Sequence, residues 1–167
     1  MELYLIRHGR QSSRLCNVNV DLSPEGRRQA ALLGHRLADW GIEVLYSSSL
    51  IRAVQTAEEI NRFLLLPHQV CPELGEISFG EMEGLPDEEI AVRFREFKER
   101  QAAMTEDLPY PGGECAGDVV RRAEPVFREM TESGYERIAV VTHGGVIRSM
   151  TAHCLGIPMN KWRILGK

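Results

Sequence analysis

Apolar positions along the chain follow two patterns, short continuous runs and stripes at helical spacing, and the two alternate. The run at 3–6 stops at Arg7-His8-Gly9 and reads as a first strand. Ser23-Pro24 places an N-cap residue before a first-turn proline. Ala30, Leu33, Leu37 and Trp40 follow at helical spacing up to Gly41. Residues 44–46 form a second strand, and 50–63 a second helix with Ala53, Ala57 and Ile60 on one face. A third strand falls at 69–71, before a loop at 72–84 rich in glycine and acids. Residues 87–100 read as a charged helix with Ile90, Phe94 and Phe97 on one side, and 107–113 as a Pro/Gly loop. A helix follows at 114–131, with Pro125 as a kink point. Residues 138–141 are apolar throughout, as a central parallel strand should be. His143-Gly144-Gly145 opens a last helix running to 155, which Gly156 and Pro158 terminate. Strands alternating with amphipathic helices predict an α/β chain, a three-layer sandwich around a mostly parallel sheet.

Composition narrows the class. A length of 167 residues matches about one domain, expected to span 1–167. Hydrophobic residues at 43% and charged residues at 26% are ordinary for a globular protein, and no apolar run approaches the ~20 residues of a spanning helix. A net charge of -4 argues against a nucleic-acid partner, and no membrane partner is expected. Locally the balance reverses: across residues 1–14, Arg7, Arg10 and Arg14 oppose only Glu2. Cys16, Cys71, Cys115 and Cys154 are scattered with no C-x-x-C pair, the pattern of free thiols in a reducing compartment. The N-terminal apolar stretch reaches Arg7 too soon for a signal peptide, so a cytoplasmic protein is expected.

Two strands end in histidine-glycine, at His8-Gly9 and His143-Gly144. Ligands of open α/β sheets sit at the carboxyl ends of strands, so parallel neighbours would aim both histidines into one crevice. His143 opens a helix, where backbone amides favour an anion, and Arg7 offers a fork suited to phosphate. Arg52, in the first turn of the second helix, is placed to point back over the strand ends. Glu76 and Glu83, in the acidic loop, are candidate proton donors. Taken singly each has an ordinary reading: a structural histidine, a solvated helix arginine, a loop acid. Their repetition at strand ends points to a phosphate pocket with a nucleophile and an acid. No metal-ligand spacing accompanies them, so no metal and no cofactor are expected.

Five segments in order carry a resemblance. They are Leu5-Ile6-Arg7-His8-Gly9, the Asp21-Leu22-Ser23-Pro24-Glu25-Gly26-Arg27-Arg28-Gln29-Ala30 stretch, and Ser47-Ser48 with Arg52-Ala53 and Gln55-Thr56-Ala57. Glu76, Phe79-Gly80 and Glu83-Gly84 form the fourth, and Pro111-Gly112-Gly113-Glu114 with Val141-Thr142-His143-Gly144-Gly145 the fifth. With them the chain resembles the histidine phosphatase superfamily, of phosphoglycerate-mutase-like fold, in its broad-specificity or α-ribazole phosphatase branch.

The resemblance implies a metal-independent phosphomonoester hydrolase acting on a small phosphorylated substrate through a phosphohistidine, as a monomer or homodimer. It makes His8 the nucleophile, Glu76 the proton donor and His143 a catalytic partner, with Arg7, Arg52, His143, Gly144 and Asn17 around the phosphoryl group. The alternatives are a phosphoglycerate-type mutase and a catalytically weak phospho-ligand binding protein. Departures from the family pattern are Arg10, Gln11 and Arg14 after the first histidine, Cys115 where serine is usual, and an end at Lys167 that marks a short or truncated form. Phe94, Phe97 and Tyr110 are candidates for contact with an organic group, or else core residues.

Overall fold

Four strands build one sheet, β1 (Glu2–Arg7), β2 (Val44–Ser47), β3 (His68–Val70) and β4 (Arg137–Thr142), in the order β1-β4-β2-β3. The computed structural model describes residues 1–166; Lys167 lies outside the described residues. Every pairing in the sheet is parallel, and β4 lies between β1 and β2. That central place explains its sequence: a strand covered on both faces has no polar side to alternate with, and Ile138 to Val141 are fully buried.

Alternate residues of β2 and β4 face opposite layers. Leu45, Ala139 and Val141 pack with Ile6 under α1 (Pro24–Leu37) and α2 (Ile51–Leu64). Val44, Tyr46, Ile138 and Val140 face α5 (Ala116–Glu132) and α6 (Gly144–Cys154). The result is the expected three-layer α/β sandwich. Ser23 caps α1, its Oγ accepting from Gly26 N at 3.1 Å. Among the described residues no helix is long and apolar enough to cross a membrane.

Several expectations change. α1 stops at Leu37, and Trp40 packs instead edge-on against Tyr4, ring centroids 5.3 Å apart. The charged helix breaks at Phe94 (φ -114, ψ 26) into α3 (Asp87–Arg93) and α4 (Arg95–Ala103). The break lets Ile90 and Phe94 both bury while Phe97 reaches Tyr110, 5.4 Å between centroids. These aromatics belong to the core, with Tyr110 only 4% exposed. α5 begins two residues later than the pattern suggested, at Ala116, which leaves Glu114 outside the helix. Pro125 sits within α5 without ending it. A 3-10 segment at Met159–Ile164 follows the terminators Gly156 and Pro158, because burying Trp162 outweighs the break in local pattern.

Candidate active site

The β1–β4 register places Arg7 opposite Thr142, so the next residue of each strand stands at the same edge. His8 N donates to Thr142 O at 3.0 Å, and the rings of His8 and His143 lie 5.1 Å apart between centroids. β2 ends alongside: Ser48 N donates to Val141 O at 3.1 Å. Three strand ends thus converge because the sheet is parallel and β4 is central.

Two hydrogen bonds set the state of His8. Nδ1 lies 2.7 Å from Gly9 O; a carbonyl only accepts, so Nδ1 carries the proton. Nε2 accepts from Arg52 Nε at 3.2 Å, so its lone pair lies in the pocket. Burial pushes the His8 pKa down to about 4; the Gly9 carbonyl opposes this, and the charges of Arg52 and Arg7 add to it. The imidazole is therefore neutral at pH 7. The turn that carries it needs glycine, since a Cβ at Gly9 would stand 2.6 Å from Gly26 O.

Arg52 is no solvated helix arginine: it is only 2% exposed. Besides His8 it donates to Asn17 Oδ1 at 2.7 Å and Val18 O at 3.0 Å. Among the described residues no carboxylate forms an ion pair with it. A buried cation satisfied only by neutral acceptors is costly, and it prepares a place for an anion. Asn17 holds its place at φ 46, and its Nδ2 donates to Glu83 Oε1 at 3.0 Å. The same Glu83 oxygen accepts from Phe79 N at 2.9 Å and Ser78 Oγ at 3.2 Å. Glu83 is thereby occupied as a brace for Asn17 and the loop.

Glu76 faces the cavity, its Oε1 accepting from the amides of Ile77 and Gly145, each at 2.9 Å. Burial raises its pKa, outweighing the two amides and the charges of Arg52 and Arg148. Raised in this way, the carboxyl can hold a proton for transfer. The backbone around it is gripped by an ion pair the sequence did not reveal. Arg122 on α5 meets Glu114 at 2.8 Å (Nε–Oε1) and 3.0 Å (Nη2–Oε2). Arg122 also donates to the carbonyls of Glu73, Gly75 and Glu76, while Glu114 Oε2 accepts from Ser78 N at 2.8 Å. Glu114 stands at the end of the Pro-Gly-Gly-Glu segment, with Arg122 eight residues on in the next helix; that arginine carried no motif of its own.

A cavity of about 990 Å³ opens over these groups and is lined by Arg7, His8, Asn17, Arg52 and Glu76. Phe79, absent from the sequence candidates, lines it too. His143 and Gly144 are close by but do not line it. His143 is fully buried behind His8, its Nε2 2.7 Å from Ser48 Oγ and its Nδ1 without a partner among the described residues. Burial, then the charge of Arg52, push its pKa well down, so it too is neutral. Gly144 approaches Arg7, whose Nε would be 3.9 Å from a Cβ placed there. Among the described residues no three or more His, Cys, Asp or Glu gather as a metal site.

The family model described as histidine phosphatase superfamily (branch 1) matches residues 3–166. The chain belongs to the histidine phosphatase superfamily. It is similar to glucosyl-3-phosphoglycerate phosphatase of Mycolicibacterium vanbaalenii, at 30% identity over 98% of this chain and 78% of that protein. Human 6-phosphofructo-2-kinase/fructose-2,6-bisphosphatase 4 is 33% identical over 92% of this chain, which spans only 32% of that longer protein. Among solved structures, mycobacterial glucosyl-3-phosphoglycerate phosphatase with VO3 superposes with a TM-score of 0.86 at 28% identity. That match covers 98% of this chain and 85% of the other. Within the superfamily these relatives are phosphatases, and the chain is a phosphoric monoester hydrolase of the same α/β fold.

Proposed function

We propose that this histidine phosphatase hydrolyses a small phosphomonoester through a phosphohistidine at Nε2 of His8. The observation that carries the reading is the state of that imidazole: Nδ1–H is tied to Gly9 O, and the unprotonated Nε2 accepts a hydrogen bond from Arg52 Nε, so its lone pair is directed into the pocket. In the first step Nε2 bonds to phosphorus, the bond from phosphorus to the ester oxygen breaks, and Glu76 gives its proton to that oxygen. In the second, the Glu76 carboxylate takes a proton from water, the water oxygen bonds to phosphorus, and the electron pair returns to Nε2. Arg7 and Arg52 hold the phosphoryl oxygens, and Asn17 fixes the Arg52 fork. Gly144 and His143 bring the positive end of α6 behind the site. Phosphoryl transfer asks for positioning and charge more than for covalent chemistry, and the arginines supply that charge without a metal. Residues 1–167 act as one catalytic domain, in the cytoplasm, as a monomer or homodimer.

The test is a quench in alkali, where phosphohistidine survives, after mixing with radiolabelled substrate. Label should remain on the wild-type chain and be absent from His8→Ala, with turnover unaffected by chelator. Label retained in His8→Ala, or activity lost to chelator and restored by metal, overturns the reading.

A further inference from the structure

A glycine carries the carbonyl that sets the tautomer of His8, and a glycine carbonyl has little orientation of its own. Without a Cβ, the backbone on either side of Gly9 turns freely unless something outside it holds the two flanking peptides. Both are held, and by different helices. Gly9 N, in the peptide that joins it to His8, donates to Thr56 Oγ1 on α2 at 3.0 Å. Arg10 N, in the next peptide, donates to Gln29 Oε1 on α1 at 3.0 Å. The far end of Arg10 is fixed as well, its carbonyl accepting from Ser23 N at 2.8 Å and Ser23 Oγ at 3.0 Å.

The bond from Arg10 N bears directly on the nucleophile. In a trans peptide N–H and C=O point in opposite directions, so an Arg10 N–H turned to Gln29 turns Gly9 O to Nδ1 of His8, 2.7 Å away. Half a turn of that peptide would set the Arg10 N–H against Nδ1 instead. Nδ1 would then have to accept, the proton would move to Nε2, and the lone pair in the pocket would be gone. Thr56 holds the turn from the other side. It is 1% exposed, and its one hydroxyl proton goes to Arg52 O at 2.6 Å. It therefore meets Gly9 N as an acceptor, and a single oxygen joins the turn of His8 to the helical turn of Arg52.

We infer that Gln29 and Thr56 are positioning residues for the nucleophile: together they hold the peptides around Gly9 in the orientation that leaves the His8 lone pair on Nε2. This rests on the proposed phosphoryl transfer to His8 and adds the residues that keep the imidazole ready for it. Both act through Gly9 rather than on the phosphoryl group. Each ordinary reading leaves one bond over. An exposed glutamine on α1 is free to point to water, yet it meets the backbone of Arg10. A helix threonine bonded to the carbonyl four residues back is already satisfied as a donor, yet it also takes Gly9 N.

The experiment reads the tautomer directly. Nitrogen NMR of isotope-labelled histidine separates a protonated ring nitrogen from an unprotonated one, and His8 is neutral at pH 7. Among the five histidines, its signals are those absent from His8→Asn. The wild-type chain should show Nδ1 protonated and Nε2 not. In Gln29→Leu/Thr56→Val the Nε2–H form should become visible. Single-turnover phosphorylation by p-nitrophenyl phosphate should slow there by about tenfold or more, the scale of two net hydrogen bonds. Gln29→Glu/Thr56→Ser keeps both acceptors and should return the tautomer to Nδ1–H, which a role in packing alone would not do. Gln29 is exposed, so Gln29→Leu by itself serves should the double variant fail to fold. Its phosphorylation should slow about threefold to tenfold while the inhibition constant of inorganic phosphate stays within about twofold. Nε2 protonated in the wild type, a tautomer or a rate unchanged in the double variant, or phosphate binding lost in step with rate in Gln29→Leu overturns the role. If no alkali-stable label forms on His8 of the wild type, the hydrolysis reading fails, while the tautomer spectra still decide what Gln29 and Thr56 do.

Discussion

Glu76 Oε1 lies 2.9 Å from the amide of Gly145, and a Cβ on residue 145 would stand 2.3 Å from that oxygen and 2.7 Å from Ile77 Cγ2. The second glycine after His143 therefore makes room for the acid as well as donating to it. Gly145→Ala should displace the Glu76 carboxyl and cost about 1–3 kcal/mol of stability, as overpacking does. Kinetics on an alkyl phosphate and on p-nitrophenyl phosphate check this: the alkyl ester should lose more.

Glu76→Gln keeps the shape but removes the proton. A poor leaving group needs that proton as its bond breaks, whereas p-nitrophenolate does not. Single-turnover rates on alkyl phosphates should fall roughly 10²–10⁴-fold, with a much smaller change for p-nitrophenyl phosphate. Glu83→Gln should act differently, loosening Asn17 and so Arg52, and slow both substrates alike. A selective loss in Glu83→Gln with equal losses in Glu76→Gln would move the acid role to Glu83.

Protonation of His8 should be visible in solution. Its folded pKa of about 4 lies below the ordinary 6.5 because burial disfavours the cation. The unfolded chain binds more protons between those values, so stability rises with pH there. The full stability is present above pH 6.5 and is lost as pH falls towards 4, by on the order of 3 kcal/mol. NMR titration of the imidazole should give a midpoint near the lower value. Urea midpoints should decline from pH 7 to pH 4 less steeply in His8→Asn, His143 supplying the remaining slope.

Arg52→Lys should not substitute for arginine. One ammonium cannot reproduce donation from Nε to His8, Nη2 to Asn17 and Nη1 to Val18 at once. We expect kcat/KM to fall roughly 10²–10³-fold, the scale of losing one preorganised donor. An inhibition constant for inorganic phosphate should weaken in parallel.

Arg122→Met removes the half-buried partner of Glu114 and leaves the carbonyls of Gly75 and Glu76 without their donor. A thermal melt should show a loss of about 3 kcal/mol. Because the loop it holds carries Glu76, the surviving activity should again favour p-nitrophenyl phosphate over alkyl esters. An equal loss on both would make the clamp purely structural.

What the sequence alone determined was local in origin. The apolar run of β4, the Ser23-Pro24 start of α1 and the histidine-glycine strand ends depend on residues within a few positions of one another, and short-range pattern reports them. Five ordered segments then sufficed to name the family and to collect Arg7, His8, Arg52 and Glu76. The tertiary structure alone decided which groups were already engaged. Glu83 and Glu76 occupy the same loop with the same chemistry, and only a contact across 66 positions, from Asn17, assigns one of them to bracing. Arg52 was placed over the strand ends by its position in α2, but only the fold shows it buried and bonded at once to His8, Asn17 and Val18. For Phe94, Phe97 and Tyr110 the sequence left ligand contact and core both open, and the break between α3 and α4 decided for the core. Arg122 carried no motif, and Arg28 lay in the first-helix segment with no role assigned, yet one grips the acid loop and the other lines the cavity. Each of these outcomes rests on hydrogen bonds and burial between distant segments, which form only when the parallel sheet brings its strand ends together.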